Sequence, residues 1–400
     1  MTIVQLGSRK KKVKSFALFN MGFRPFFLGG IIFAILSIAM WMAVYAFYYQ
    51  LPIAPLLPTQ WHSHEMIYGY TMAIIAGFLL TAIVNWTGIQ TVQGAGLVGL
   101  FVLWLVPRIL FLFGVRFIFV AAVFDLLFMM LLLVAISIPI VKSKNWKQLG
   151  IISKIVLMTL GNIVFYLGAF GLLEKGIYWG IYGGLYLIIA LILTIGSRVM
   201  PAFISNGVGY IVEIKNPKWV MILNLILFAG FFYSELFAHS EILTAILSIC
   251  LFSINSYRLC LWHTIGIWKK PLLWGLYLAF LFISIGFLLF ALSYFIGISK
   301  FIAIHAFAIG GIGLATMAMM ARVTLGHTGR NIFSPPRGTG LALGLLIWGI
   351  IFRLFVPLIN NDGYVFWIFL AQIFWILAFS LLAFLYSRML FSSRIDGKEG

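Results

Sequence analysis

The sequence predicts an all-α, polytopic transmembrane helical bundle of about twelve spans, and three observations lead to this fold class. Apolar residues make up 63% of the 400 positions and charged residues only 9%, whereas soluble domains are about 45–50% apolar. The mean hydropathy is +1.11. Apolar runs of about 20 residues, long enough to cross a bilayer as helices, recur along the chain. They are continuous rather than alternating, which argues against a β-barrel.

The predicted spans follow one another with short connections. The third and fourth are interrupted by Pro107, Arg108 and Arg116, and turn-forming pairs such as Asn216-Pro217 mark the longer connections. We expect a basic segment at 1–24, a single transmembrane domain at 25–390 and a tail at 391–400. The spans are predicted near residues 25–48, 62–84, 94–114, 116–141, 149–173, 177–197, 218–238, 241–265, 271–296, 301–323, 339–359 and 363–387.

Positive charge is distributed unevenly between the two sides of these spans. Numbering from a cytoplasmic N-terminus places 22 of the 27 Lys and Arg residues inside, including the cluster from Arg9 to Lys14. This bias predicts that both termini are cytoplasmic. The net charge of +18 is then a topology signal, so a lipid bilayer is the expected partner and nucleic acid is not. The outer side keeps only Arg108, Arg116, Lys175, Lys300 and Arg353.

Three of the six histidines lie at the outer ends of spans. Neutral imidazole is the commonest protein metal ligand, and ionisable groups inside a membrane mark functional sites. Residues on a helix are about 100° apart, so His62 and His64 face different sides, whereas His62 and Glu65 share one. The motif predicts either two neighbouring metal centres or one centre on an irregular first turn, with Glu65 as a ligand or an orienting partner. The alternative is a polar interfacial segment wetted by water and headgroups.

His305 completes the outer set of candidate metal ligands, His62, His64, His305 and Glu65. Gly310, Gly311 and Gly313 follow it. Glycines in membrane helices favour close helix packing, and they would also let a flat macrocycle approach the backbone.

A second candidate site lies at the inner ends of the spans. It combines His263, which ends the eighth span, with His327, which follows the tenth, and with Arg198, Arg322 and Arg330. Arginines there satisfy the positive-inside rule, and they would equally hold the propionates of a bound haem. His239 lies in a short polar connection, where we expect it to be solvated.

Several sequence blocks occur in order between residues 23 and 330, and in combination they resemble the NnrS family. They are Phe23-Arg24-Pro25-Phe26-Phe27, Trp61-His62-Ser63-His64-Glu65-Met66, Asn85-Trp86-Thr87-Gly88, Gly196-Ser197-Arg198-Val199-Met200-Pro201-Ala202-Phe203, Pro271-Leu272-Leu273-Trp274 and Met319-Met320-Ala321-Arg322-Val323-Thr324-Leu325-Gly326-His327-Thr328-Gly329-Arg330. The resemblance implies a bacterial inner-membrane protein that carries haem b and copper and serves nitric oxide metabolism or tolerance of nitrosative stress. It maps the family's histidines onto His62, His64, His305 and His327, while a further family histidine is replaced by Tyr277.

We therefore expect a haem- and copper-binding membrane protein. Its outer histidines would ligate metal, and an open metal position would meet nitric oxide or another small diatomic ligand. A membrane electron donor is a compatible partner. One alternative is a copper transporter or delivery protein that uses the same histidines as transient sites. Another is a sensor or structural partner in which the histidines are satisfied interface residues.

Overall fold

The computed structural model describes residues 16–53, 55–360 and 362–397. Within these ranges the chain forms helices and connections without strands, and twelve helices are long and apolar enough to cross a membrane. The predicted all-α transmembrane fold is confirmed. The helices are α1 Phe23–Phe47, α2 Pro58–Thr87, α3 Gly94–Phe113, α4 Ile118–Lys142, α5 Trp146–Ala169, α6 Gly176–Gly207, α7 Lys218–Ala238, α8 Glu241–Trp262, α9 Pro271–Phe295, α10 Lys300–His327, α11 Thr339–Ile359 and α12 Tyr364–Phe391.

The largest difference from the predicted spans is at the end of α6, which continues through Pro201 to Gly207 instead of stopping near 197. Arg198 lies just beyond the predicted end. In the structure its guanidinium donates hydrogen bonds to groups of α5, to Gln148 Oε1 at 3.0 Å and to the Lys147 carbonyl at 3.2 Å. The helix thus continues past a charged side chain that binds the neighbouring helix.

Short connections make successive helices run in alternating directions. The helix ends therefore lie at two ends of the bundle. We call the end where α1 begins and α12 finishes the terminal end, and the other the opposite end. Cytoplasmic placement of the terminal end stays a prediction, as does the division into three segments. Residues 1–15, which hold the Arg9–Lys14 cluster, and residues 398–400 lie outside the described ranges.

Three helices occupy the centre of the bundle. The buried share of the most apolar stretch is 89% in α2 and 72% in both α9 and α10, against 33–44% in most of the others. Since α2 and α10 carry the candidate metal ligands, these ligands stand on the most enclosed elements of the fold.

Arg24 connects the first helix to the last. Its guanidinium is fully buried and donates hydrogen bonds to the carbonyls of Met389, Leu390 and Ser392 at 3.2, 2.9 and 2.7 Å. The last carbonyls of a helix have no N–H partner within that helix. Arg24 supplies hydrogen-bond donors to these carbonyls at the end of α12. The Phe-Arg-Pro-Phe-Phe block thus has a structural role in closing the bundle.

Candidate functional site

The start of α2 directs its two histidines to different places. The helix begins at Pro58 after an N-cap at Leu57, and Gln60 Oε1 accepts a hydrogen bond from the Leu57 N–H at 2.9 Å. Regular α-helix lasts until His64, and the next seven residues form a π-helix. The prediction that the two imidazoles face different sides is confirmed, and the irregular turn lies after both.

His62 faces a cavity between the helices. Its ring is stacked on the indole of Trp41, with centroids 4.5 Å apart and planes 9° from parallel. The Nδ1 atom is buried and has no hydrogen-bond partner among the described residues. An imidazole that is held in one plane and keeps an unused nitrogen is suited to accept a metal ion.

His64 is fully buried and both of its ring nitrogens are engaged. Nδ1 lies 2.9 Å from Glu65 Oε1, and Nε2 lies 3.0 Å from Asn162 Oδ1. Both neighbours accept hydrogen bonds, because the Asn162 amide nitrogen donates to Asp125 Oδ2 at 3.0 Å. Each ring nitrogen of His64 thus has a partner within the protein, and a metal ion could bind there only by displacing one of these contacts.

Arg108 completes this buried charge network, which we define as His64, Glu65, Arg108, Asp125, Asn162 and Tyr166. The guanidinium lies 2.6 Å from Asp125 Oδ1 and 3.2 Å from Glu65 Oε1, with every charged side chain at most 2% exposed. Tyr166 donates to Asp125 at 3.1 Å. The Arg108 guanidinium thus contacts two carboxylates, and the network joins α2, α3, α4 and α5.

His305 lies beside the cavity that His62 faces. Its Nδ1 donates to the Phe301 carbonyl at 2.7 Å, which leaves Nε2 as the acceptor. Arg353 on α11 lies beside the ring, with its Nη2 3.1 Å from Nδ1 and 3.3 Å from Nε2. Direct metal binding at Nε2 therefore requires the guanidinium to give up this contact.

The cavity between these helices, called the histidine cavity below, has a volume of about 320 Å³. Three π-helical segments border it: Glu65–Thr71 follows the α2 histidines, Ala306–Gly313 follows His305, and Ile351–Phe355 contains Arg353. Such segments are rare and occur frequently at functional sites, so their convergence supports this cavity as the candidate site. Its polar and sulfur-bearing lining includes Tyr45, Thr59, His62, Ser63, Met66, Tyr182, His305, Arg353, Tyr364 and Gln372.

The four predicted outer ligands lie in two different surroundings, in keeping with the alternative of two neighbouring centres. His62 and His305 share the histidine cavity, whereas the ring nitrogens of His64 and the Glu65 Oε1 atom are held in the buried charge network. Metal binding by any of the four stays a prediction. The physical reason for the division is the helical rotation between positions 62 and 64.

The space beside the glycine run of α10 is filled by side chains of neighbouring helices. A Cβ atom on Gly310 would lie 2.5 Å from the Cβ of Phe282, and one on Gly311 would lie 2.6 Å from Ile283 Cγ1. A Cβ on Gly313 would approach Trp375 within 2.9 Å. These glycines therefore allow α9 and α12 to pack closely, and they provide no open backbone for a macrocycle.

The two histidines predicted at the inner ends have separate surroundings. His263 is exposed, and its Nε2 accepts a hydrogen bond from the indole of Trp268 at 3.2 Å. Tyr277, which stands where the family often has histidine, lies beside it with ring centroids 6.0 Å apart. His327 instead packs on Phe23, with ring centroids 5.7 Å apart.

The three predicted inner arginines are also dispersed. Arg198 binds α5 as described, and the Arg322 guanidinium lies 3.7 Å from the ring centroid of Phe203. Arg330, beyond α10, donates to the Thr328 carbonyl at 3.5 Å, and partial burial lowers the pKa of its guanidinium. The contacts of the described residues thus do not gather the predicted inner set into one pocket.

Sequence reasoning missed Met66, Arg353 and Gln372 as members of the candidate site. Met66 lies inside the histidine motif, so its position could have been noticed. Arg353 stood out as one of few basic residues on the predicted outer side. Gln372 carries no signal in the sequence beyond being an amide within an apolar run.

Comparison with known proteins gives a match over nearly the whole chain. A family model described as NnrS protein matches residues 17–394, which include every membrane-spanning helix and all residues of the histidine cavity. No curated protein matches the chain.

Proposed function

The chain belongs to the NnrS family of nitric-oxide-response membrane proteins, and on this premise we propose that it binds copper in the histidine cavity and meets nitric oxide there. The proposal places the protein in the bacterial inner membrane with both termini in the cytoplasm. Nitric oxide is small and partitions into lipid, so an apolar cavity at membrane depth needs no polar channel to receive it.

One observation carries this proposal: His62, His305 and Met66 line the same cavity. Imidazole and thioether are ligands that suit copper, and thioether sulfur selects Cu(I). The unpartnered Nδ1 of His62 is a donor atom that the protein itself does not use. The Met66 sulfur accepts only a 3.5 Å contact from the Ser37 hydroxyl. This donor set fits copper.

The protein would prepare the site in two ways. Trp41 stacking fixes the plane of the His62 ring, and the Phe301 carbonyl fixes the proton of His305 on Nδ1. Both contacts orient ligands before any metal arrives, a role that outer partners of metal-bound histidines commonly have. When bound, copper would supply a coordination position for a diatomic ligand.

Haem b, the other group implied by the family, does not fit the places expected for it. The α10 glycines are packed against side chains, and the inner histidines and arginines have separate partners. Haem binding stays a prediction without an assigned site.

The test is to purify the full-length protein in mild detergent and to quantify copper and iron per chain, together with the reduced visible spectrum. We expect His62→Ala and His305→Ala to lose most of the copper, and Met66→Leu to weaken Cu(I) binding while keeping the fold. The matched control is His239→Ala, which removes an exposed histidine. Full copper retention in both cavity variants would overturn the proposal.

Two further readouts separate the alternatives. Copper that exchanges rapidly with a soluble chelator would favour the delivery function over a resident centre. A change in the Cu(II) electron paramagnetic resonance signal on adding nitric oxide would support the proposed ligand. His64→Ala is expected to reduce stability rather than copper content, because its ring nitrogens serve the buried charge network.

A further inference from the structure

Arg353 brings a positive charge into the histidine cavity that no acidic residue balances. The side chain is 7% exposed, and its Nη1 atom is buried without a partner. Its polar neighbours are neutral groups: the His305 ring nitrogens lie 3.1 and 3.3 Å from Nη2, and the side chain of Tyr364 also contacts the guanidinium. None of the ion pairs between described residues includes it. Buried charges are normally paired, because an isolated one is costly.

The contrast with Arg108 shows that this chain can compensate a buried arginine. Arg108 receives two carboxylates, Glu65 and Asp125, although acidic residues are scarce in the sequence. Arg353, which is 7% exposed against 5% for Arg108, receives none among the described residues. The missing anion is therefore expected to come from outside the polypeptide.

Gln372 on α12 gives an independent indication at the same cavity. It is 6% exposed, and both its amide nitrogen and its amide oxygen lack hydrogen-bond partners among the described residues. A buried amide that leaves both groups unused is destabilising. An amide N–H donor and a guanidinium that line one cavity are the groups that would hold an anion.

We infer that Arg353 and Gln372 form a binding site for a small planar monoanion with two oxygen atoms, such as a carboxylate or nitrite. The planar fork of a guanidinium matches two oxygens in one plane. A single cation faces the cavity, which suits one negative charge better than two. The volume of about 320 Å³ lies at the lower end of the range of about 300–1,000 Å³ for ligand pockets, so the ligand is small.

This inference does not depend on copper. The indole rings of Trp41 and Trp375, which also line the cavity, would contact the apolar part of an organic anion. The hydrogen-bonding groups belong to α11 and α12, whereas the candidate copper ligands belong to α2 and α10. The two sites share a cavity but use different side chains.

The experiment is calorimetric titration of the full-length protein in detergent after metal removal, with sodium nitrite, sodium propionate and inorganic phosphate as separate probes in chloride buffer. We expect one saturable site per chain for nitrite or propionate. Tighter binding of nitrite would identify nitrite as the ligand class, and tighter binding of propionate would identify an organic carboxylate. Because the protein is free of metal, failure of copper binding leaves this result unaffected.

Arg353→Gln is expected to weaken binding by about tenfold to hundredfold, the usual consequence of losing a hydrogen bond to a charged group. Gln372→Glu should weaken it as well, because a carboxylate would then face the anion. Arg353→Lys keeps the positive charge and should show an intermediate loss of affinity. It serves as a second variant in case Arg353→Gln does not fold. The matched control is Arg116→Gln, an exposed arginine at the same end of the bundle.

Two outcomes would overturn the inference. One is unchanged affinity in both Arg353 variants. The other is phosphate binding as tight as that of nitrite and propionate, which would assign the arginine to a phosphate group such as that of a lipid headgroup.

Discussion

Replacing Asp125 with asparagine removes one of the two carboxylates of the buried charge network. The Asp125 side chain is 1% exposed and lies 2.6 Å from the Arg108 guanidinium, and it also accepts hydrogen bonds from Asn162 and Tyr166. After the change, Arg108 and His64 would face Glu65 alone. Breaking a buried ion pair by removing one partner typically costs about 3–5 kcal/mol. We expect a loss of unfolding free energy of that size.

The chain contains a matched control for this change. Arg394 and Asp396 are also 2.6 Å apart, but their side chains are 17% and 33% exposed, against 2% and 1% for Arg108 and Asp125. Hydrogen bonds to Asp396 raise the pKa of the Arg394 guanidinium, so this pair is charged at neutral pH. Solvent-exposed pairs contribute about 0–1 kcal/mol. Asp396→Asn should therefore have little effect.

The assay is unfolding of the full-length protein by SDS in mixed micelles, followed by tryptophan fluorescence. If Asp125→Asn costs no more than Asp396→Asn, the reasoning about buried charge is refuted.

Two further predictions concern packing and topology. Gly311→Ala should destabilise the bundle by about 1–3 kcal/mol, because the added Cβ would lie 2.6 Å from Ile283. The control Gly344→Ala should be neutral or stabilising, because its Cβ would meet no atom within 4 Å. Equal unfolding curves for the two variants would contradict this prediction. The orientation can be tested with single cysteines in a background without the native ones. Glu213→Cys, at the terminal end, should react with a membrane-impermeant thiol reagent only after cells are opened, whereas Glu174→Cys, at the opposite end, should react with intact cells. The reverse pattern would invert the proposed orientation.

The membrane-spanning helices could be predicted because the property that defines them is local. A run of about 20 apolar residues is visible in the sequence itself, and every predicted span corresponds to one helix. The divergence of His62 and His64 was predictable for the same reason, since it depends only on the rotation per residue. The end of α6 was less predictable, because the helix continues past Arg198, whose guanidinium binds a residue of another helix.

The composition of the site could not be predicted because it depends on packing between distant helices. Arg353 reaches His305 across 48 positions of sequence, and Asn162 reaches His64 across 98. The rarity of acidic residues offered a partial signal. Asp125 is one of few acids within the spans, and the cost of burying it alone required a basic partner. The sequence could not show that this partner would be Arg108 on the neighbouring helix.

The position of Arg353 connects the two proposals made for the histidine cavity. Its guanidinium faces the His305 nitrogen that a metal needs, and two cations repel each other strongly where the dielectric constant is low. An anion on Arg353 would neutralise that charge and compete for the hydrogen bond to His305. Copper and the anion should therefore bind cooperatively, each raising the affinity for the other by the same factor. Copper affinity that is identical with and without the saturating anion would exclude this coupling, even if both ligands bind.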